Sequence, residues 1–270
     1  MTHSIPSTTR RTVLTTIAAG SLAVAGCTDS GSTDSPGGGD ISRVDVDGIE
    51  LVVEYDSETS ATGLAVIAPS GEAFAERQLT PGASQETIPI GTAYPPGTYT
   101  VQLVDEQSVV AAVEQSLRPD VVIRDLKLAR NHPEEMYERA ADFTITSEVI
   151  VTIENIGTGP EELTGLHFDG DIPRPTPDDL EESGIAAVNQ PVTYTEPVIN
   201  PGDTINVYSI TFPFAPGGDV VSCTPEGTDG RFTVILIGNV AGELTEREYN
   251  VTYQGQDLTD CQISVKRAES

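Results

Sequence analysis

Pro95-Pro96-Gly97-Thr98-Tyr99-Thr100-Val101-Gln102-Leu103 is the stretch whose reading decides the fold. Two prolines and a glycine punctuate a turn. Behind them Tyr99, Val101 and Leu103 alternate with Thr and Gln, which puts the apolar side chains on one face of a strand. Upstream, Ile49, Leu51, Val53 and Tyr55 repeat the period of two, and Gly63 to Ala68 forms a strand stopped by Pro69-Ser70-Gly71. Glu86 to Ile90 is a weaker strand candidate. Downstream, Asp105-Glu106-Gln107 breaks the run, and Ser108 to Leu117 returns as its hairpin partner. Regular turn spacing without an amphipathic helix predicts a small β-sandwich over 41–118.

Arg118-Pro119-Asp120 reads as a boundary, and 119–270 as a larger sandwich. It opens with the strand Val121 to Leu128. Phe143, Ile145, Val149, Val151 and Ile153 fall on one face of a long predicted strand that exits through Glu154-Asn155-Ile156-Gly157-Thr158-Gly159. Further strands are expected over 203–212, 231–240, 246–253 and 261–265. Phe232 to Ile237 is apolar on both faces, as in a central strand covered on each side. His132-Pro133-Glu134-Glu135 and Thr176-Pro177-Asp178-Asp179, with Gly184 as a stop, carry helix-start signals on inter-strand loops.

Val121-x-Ile123-x-Asp125-Leu126 followed by Val149-x-Val151-x-Ile153-Glu154-Asn155-Ile156-Gly157 resembles the cell-adhesion-related, Ig-like β-sandwich domain of prokaryotic surface proteins. In that family an asparagine-x-glycine turn ends a strand in the first half of the domain. The resemblance implies a fold and a spacer or binding role, and carries over no catalytic residue. The expected fold class is all-β: two Ig-like sandwiches behind a signal peptide (1–26) and a flexible tether (27–40).

The leader is polar and basic at Arg10 and Arg11, then apolar and small from Val13 to Ala25. That run is shorter than the ~20 residues a spanning helix needs, and has the length of a signal-peptide core. Thr9-Arg10-Arg11-Thr12-Val13-Leu14 resembles the twin-arginine export signal, which carries folded proteins across a membrane; Val13 stands where that motif prefers Phe. Val24-Ala25-Gly26-Cys27 resembles a lipobox, which implies that Cys27 is lipidated and becomes the mature N-terminus. One lipid chain binds a membrane only marginally, so stable anchoring needs two chains or a second contact. Thr28 to Asp40 holds little but Thr, Asp, Ser, Gly and Pro, the composition of a flexible tether.

The chain carries 42 acids against 14 bases, a net charge of −28, and its lysines are Lys127 and Lys266. Such charge repels itself in dilute buffer. At molar salt the Debye length is about 3 Å and the repulsion is screened. The acid-rich, lysine-poor composition resembles that of proteins from extreme halophiles. No cluster of Lys and Arg exists, which excludes nucleic acid as a partner. An anionic lipid surface would repel the folded part.

After Cys27 the cysteines are Cys223 and Cys261, an even pair in an oxidising compartment. A disulfide is favoured over a metal site, which lacks a CxxC pair and a nearby His. His132 and His167 have no nucleophile context and read as capping or surface residues. Asp169-Gly170-Asp171 with Asp178, Asp179, Glu181 and Glu182 supplies hard oxygen ligands of the kind calcium takes. A solvated acidic surface explains the same residues. Asn250-Val251-Thr252 is an N-glycosylation sequon, available only where Asn250 faces outward from its strand. No catalytic or cofactor-binding residue is assigned. The expected protein is a lipid-anchored, non-enzymatic binding or structural module on the extracytoplasmic face of the cell membrane. Its partners are the membrane, through the anchor, and an envelope protein. An accessory subunit of an exported transporter or redox system is the alternative, and a hydrolase built around Asp169 to Glu182 the weakest reading.

Overall fold

The computed structural model describes residues 39–106, 108–188, 193–216, 221–257 and 260–269. The first seven strands are β1 (Ile41–Asp47), β2 (Glu50–Tyr55), β3 (Gly63–Ile67), β4 (Ala73–Gln78), β5 (Gln85–Pro89), β6 (Gly97–Asp105) and β7 (Ser108–Leu117). They form two antiparallel sheets, ordered β1-β2-β5 and β4-β3-β6-β7. The alternation read from the sequence points Leu51, Val53 and Tyr55 from one sheet at Leu64, Val66, Tyr99, Val101 and Leu103 from the other, all buried. Fully burying each such side chain stabilises by about 1.5–3 kcal/mol. Phe74 meets Tyr99 edge-on at 5.3 Å. The Tyr99 hydroxyl donates to the Pro95 carbonyl at 2.8 Å. This is the tyrosine corner of Ig-like sandwiches, which ties a strand start to the turn before it.

The second half comprises β8 (Val121–Leu128), α1 (Asp142–Ser147), β9 (Val149–Asn155), β10 (Glu161–Gly170), β11 (Val198–Ile199), β12 (Thr204–Tyr208), β13 (Thr228–Gly238), β14 (Gly242–Gln254) and β15 (Gln262–Arg267). Its sheets run β8-β9-β12 and β11-β10-β13-β14-β15. In each half the first, second and fifth strands share one sheet. The fourth, third, sixth and seventh share the other, in that order; the second half adds β15 beyond the seventh. Both halves therefore have the same Greek-key order, and the chain is an all-β pair of Ig-like sandwiches. The second core gathers Val149, Val151, Ile153, Leu166, Phe168, Phe232, Val234, Leu236, Tyr249 and Tyr253. Phe232 stacks on Tyr249 at 5.4 Å and takes Phe214 edge-on at 5.6 Å.

Three readings change. Phe143 and Ile145 belong to α1, and the strand begins only at Val149. The helix turns the Thr146 carbonyl toward the Arg130 guanidinium, whose Nε donates to it at 2.9 Å, so a cation sits at the helix C-terminus. Thr176 to Gly184 is not helical: Thr176 is bonded to β10 through Phe168, leaving a single turn that Leu180 closes on Pro177. β13 is central in its sheet, but Ile235 and Ile237 on its outer side are only half-buried. The other helix-start signal yields a short 3-10 turn, Pro133–Glu135.

Candidate functional site: the joint and the distal loops

Between β7 and β8 run only Arg118, Pro119 and Asp120, and both sandwiches bond around them. Asn155, at the end of β9, is completely buried. Its amide nitrogen donates to the carbonyls of Gly159 (2.9 Å) and Ile199 (3.0 Å). Its oxygen accepts from the amides of Asp120 (3.2 Å) and Gly157 (3.0 Å). A buried amide side chain with every donor and its acceptor engaged holds turn, neighbouring strand and linker together. Gly157 is required two residues on, because a Cβ there would overlap the Arg118 carbonyl and the Asp120 amide. The asparagine-x-glycine turn seen in the sequence is thus the inner half of the joint.

The outer half comes from residues far apart in sequence. Tyr94 of the first sandwich donates its hydroxyl to the Pro160 carbonyl at 2.9 Å, and burial pushes its pKa up. Thr92 donates to Glu162 at 2.8 Å, and Asn239 donates to the Thr92 carbonyl at 3.0 Å. Glu161 is fully buried, and its carboxylate accepts backbone N–H bonds from Glu162, Val240 and Ala241 at 2.9–3.2 Å. It thereby fixes the β13–β14 turn, and Val240 in that turn packs against the first sandwich's core. The described residues belong to one compact unit.

Strand direction sorts the remaining loops by end. Asp40, just before β1, accepts from the Asp56 amide and from the Thr59 hydroxyl. That places the entry of the chain at the end of the first sandwich opposite the joint, among 55–62 and the β6–β7 turn. In the second sandwich β8, β10 and β14 run away from the joint. The long connections 129–148, 171–184, 209–216 and 221–227 therefore collect at its far end, with the turn that follows β14.

There the segment 129–148 folds over the outer face of β9 and β12. Ala129, Ile150, Ala186, Tyr208 and Ile210 form a separate small core, covered by Met136 and Tyr137. Arg130 donates to the carbonyls of Thr146, Phe214 (3.2 Å) and Cys261 (3.2 Å), and Asn131 donates to the Ile263 carbonyl at 3.0 Å. These bonds clamp the segment to β15. Glu148 lies under it, 2% exposed. One carboxyl oxygen takes a single bond from the Tyr137 hydroxyl at 3.3 Å, and the other has no hydrogen-bond partner among the described residues. Burial pushes its pKa up to about 8. The hydroxyls of Ser147, its neighbour in the chain, and of Thr211, which follows β12, are also buried and without a hydrogen-bond partner among the described residues. Phe212 is held at φ +53° and Arg139 at φ +67°, a region where bulky L-residues are strained.

His132, Glu134 and Glu135 bring three ligand-type side chains within 4.8 Å of one another. Lys127, however, donates to both Glu135 oxygens at 2.8 Å, and that bond holds the Glu135 carboxyl below its ordinary range. An ammonium already balances the carboxylate a metal would use. The acids of 169–182 do not form a comparable group among the described residues. Asp171 instead accepts from the Arg231 amide at 3.0 Å, and its carbonyl takes the Tyr253 hydroxyl at 2.8 Å. His167 is half-buried on the outer face of β10, which lowers its pKa.

Cys223 and Cys261 form a disulfide, with Cα atoms 6.0 Å apart. It joins the approach to β13 to the start of β15 at the far end. Asn250 is exposed on β14, paired with Arg231 on β13 and Lys266 on β15, beside an open groove of about 590 Å³ floored by Gly230. The sequon's Thr252 hydroxyl is taken by Asp229 at 2.7 Å. Arg10, Arg11 and Cys27 lie outside the described residues. Glu148, Glu161, Thr92 and Asn239 carried no sequence signal, since each acquires its role from partners distant in the chain.

No protein-family model matches the chain, and no curated protein is similar to it. Among solved structures, a two-domain fibronectin type-III segment from chicken tenascin is 7% identical, with 85% of this chain and 99% of that chain covered, at a TM-score of 0.28. The human OSCAR ligand-binding domain is 9% identical, with coverages of 82% and 92% and a TM-score of 0.21. A β-glucuronidase from glycoside hydrolase family 2 is 6% identical, and this chain spans 18% of it, at a TM-score of 0.22. Scores this low add nothing to the strand order, on which the fold rests.

Proposed function

We propose that this chain is an exported, lipid-anchored envelope protein, a non-enzymatic spacer and binding module on the extracytoplasmic face of the cell membrane. Lipid on Cys27 supplies the anchor, Arg10 and Arg11 the export signal, and the polar stretch behind Cys27 the tether. The net charge of −28 suits a molar-salt exterior, where it is screened. The observation that carries the reading is the joint. A three-residue linker held by Asn155, with bonds of Tyr94, Thr92 and Asn239 running from one sandwich to the other beside it, makes the two sandwiches one stiff arm. Elaborated loops lie at one end of that arm, and Asp40, just before β1, lies at the other. Partner binding belongs at the loop end, which also accommodates an accessory role within a larger exported assembly.

Fractionation of cells tests the anchor. The Cys27→Ser variant should leave the membrane fraction while remaining folded, and full retention in the membrane would sink the lipoprotein reading. Replacing both arginines, Arg10→Lys with Arg11→Lys, should leave the precursor inside the cell. Asn250 faces outward but sits between two paired strands, so a glycan there should show as a mass increment lost in Asn250→Gln.

A further inference from the structure

We infer that residues 136–141 form a flap that lifts off Glu148 when its carboxyl gives up a proton, while the sandwich beneath stays folded. The second sandwich alone carries this device, which depends on neither the anchor nor the joint. The cover 129–148 is pinned at two places. Upstream, Arg130 and Asn131 donate to the carbonyls of Cys261 and Ile263. Downstream, the Ser147 carbonyl accepts from the Phe214 amide at 3.1 Å, and the Glu148 amide closes α1 on Thr144 at 2.9 Å. Between these pins, the backbone of 136–141 bonds only within the cover, among the described residues: Met136 to the Pro133 carbonyl, Ala140 to the Tyr137 carbonyl and Ile145 to the Ala141 carbonyl. Arg139, in the middle, has φ +67°. The flap is held down by packing of Met136 and Tyr137 on the small core, by the edge-on contact of Tyr137 with Tyr208 at 5.2 Å, and by the Tyr137–Glu148 bond. Segments with so few bonds to the body of a fold open locally first.

Under the closed flap an ionised Glu148 has almost nothing to hold it. Its single bond is long, and its second oxygen has no hydrogen-bond partner among the described residues. The charged groups around it are engaged elsewhere. On β8, Lys127 donates to both Glu135 oxygens, and within the cover His132 stands 3.4 Å from the same carboxyl. The Arg130 guanidinium is spent on three carbonyls. From β12, Tyr208 donates to the Glu135 carbonyl, and the Ser209 hydroxyl that follows accepts from the Val149 amide. The connection before β11 contributes Ala186, which carries no charge. Burial raises the pKa of both Tyr137 and Tyr208, so neither hydroxyl titrates ahead of Glu148. A buried carboxylate without a cation must reach water. Lifting 136–141 admits water without breaking a sheet bond, and it uncovers Tyr208 and Ile210. The closed form holds the proton up to about pH 8, whereas the open form releases it near 4.5. Closure is therefore complete at low pH and weakens as pH rises.

Trypsin reads the flap, because the bond after Arg139 lies within it. The purified Cys27→Ser protein is digested briefly at high salt over a series from about pH 5.5 to about pH 9. At each pH, cutting after Arg139 is divided by cutting of an unstructured peptide of residues 134–144. The ratio should rise by up to about tenfold per pH unit, one proton being released on opening, and level off above about pH 8. Glu148→Gln, which carries no ionisable group there, should keep the ratio low and flat. Hydrogen exchange at the same pH values should show β13 opening far more rarely than the flap. A flat ratio without the Glu148 substitution, the same rise in Glu148→Gln, or β13 opening as often as the flap would each overturn the proposal.

Discussion

The two sandwiches share a strand order and differ in what has been added to it. The first connects its seven strands by short turns and braces one of them with the Tyr99 corner. The second keeps that plan and adds the 129–148 cover, long loops at 171–184, 209–216 and 221–227, a fifteenth strand and a disulfide, nearly all at the end away from the joint. Among the described residues the first sandwich has one buried unpartnered hydroxyl, on Tyr55, and one non-glycine residue at positive φ, Glu106 in the β6–β7 turn. More such groups gather under and beside the cover, at Glu148, Ser147, Thr211, Arg139 and Phe212. Natural proteins concentrate such violations where they work. The contrast separates an arm from an end that the arm presents.

Breaking that contrast begins with the disulfide. In the chain-entropy model a crosslink closing a separation of 38 residues stabilises by about 4 kcal/mol. Cys223→Ser with Cys261→Ser should lower the urea midpoint of the second sandwich at high salt and leave hydrogen exchange in β2, β3 and β6 unchanged. Asn155→Ala should cost about 3 kcal/mol by leaving buried joint groups unsatisfied. It should raise exchange on both sides of the linker, since the joint serves both sandwiches.

Glu148 gives the comparison a pH signature. Its folded pKa lies above the unfolded value of 4.5, so the native state holds a proton that the unfolded state releases. The stability it confers is complete below about pH 4.5 and lost as pH rises toward about 8, at about 1.4 kcal/mol per pH unit across that window. Glu148→Gln should therefore gain about 2.5 kcal/mol on the wild type between pH 5.5 and 7.5, measured as the difference between paired denaturation curves. Parallel curves would show that the carboxyl is solvated. Tyr99→Phe is the mildest test: loss of one corner bond should destabilise the first sandwich by about 1 kcal/mol with no pH dependence.

How much of this was legible in the sequence follows from the range of the forces involved. Alternation at Leu51-Val53-Tyr55, Tyr99-Val101-Leu103 and Val149-Val151-Ile153 is local, and it placed strands where they are. The Asn155-Ile156-Gly157 turn was visible because its geometry constrains neighbouring residues. β10 escaped notice because Glu161, Glu162, Gly165 and His167 interrupt its apolar positions, and their burial depends on the joint and on β13. Phe143 and Ile145 fit a strand period, yet clamping by Arg130 favours helix there. Thr92, Asn239 and Glu148 look like ordinary surface polar residues until the fold supplies their surroundings. Of the candidate residues, the Cys223–Cys261 bond is present as expected, these being the two cysteines beyond Cys27.

The stiffness of the arm can be measured directly. Spin labels on Ile49 and Val198, both exposed near the joint but on different sandwiches, report their separation by double electron–electron resonance. The label sites are introduced as Ile49→Cys and Val198→Cys in the Cys27→Ser background, at high salt. A joint bonded through Asn155, Tyr94, Thr92 and Asn239 gives one narrow distance peak, which broadens in Asn155→Ala. A broad or multimodal distribution in the otherwise unaltered protein would mean that the sandwiches move independently, and the spacer account would be wrong.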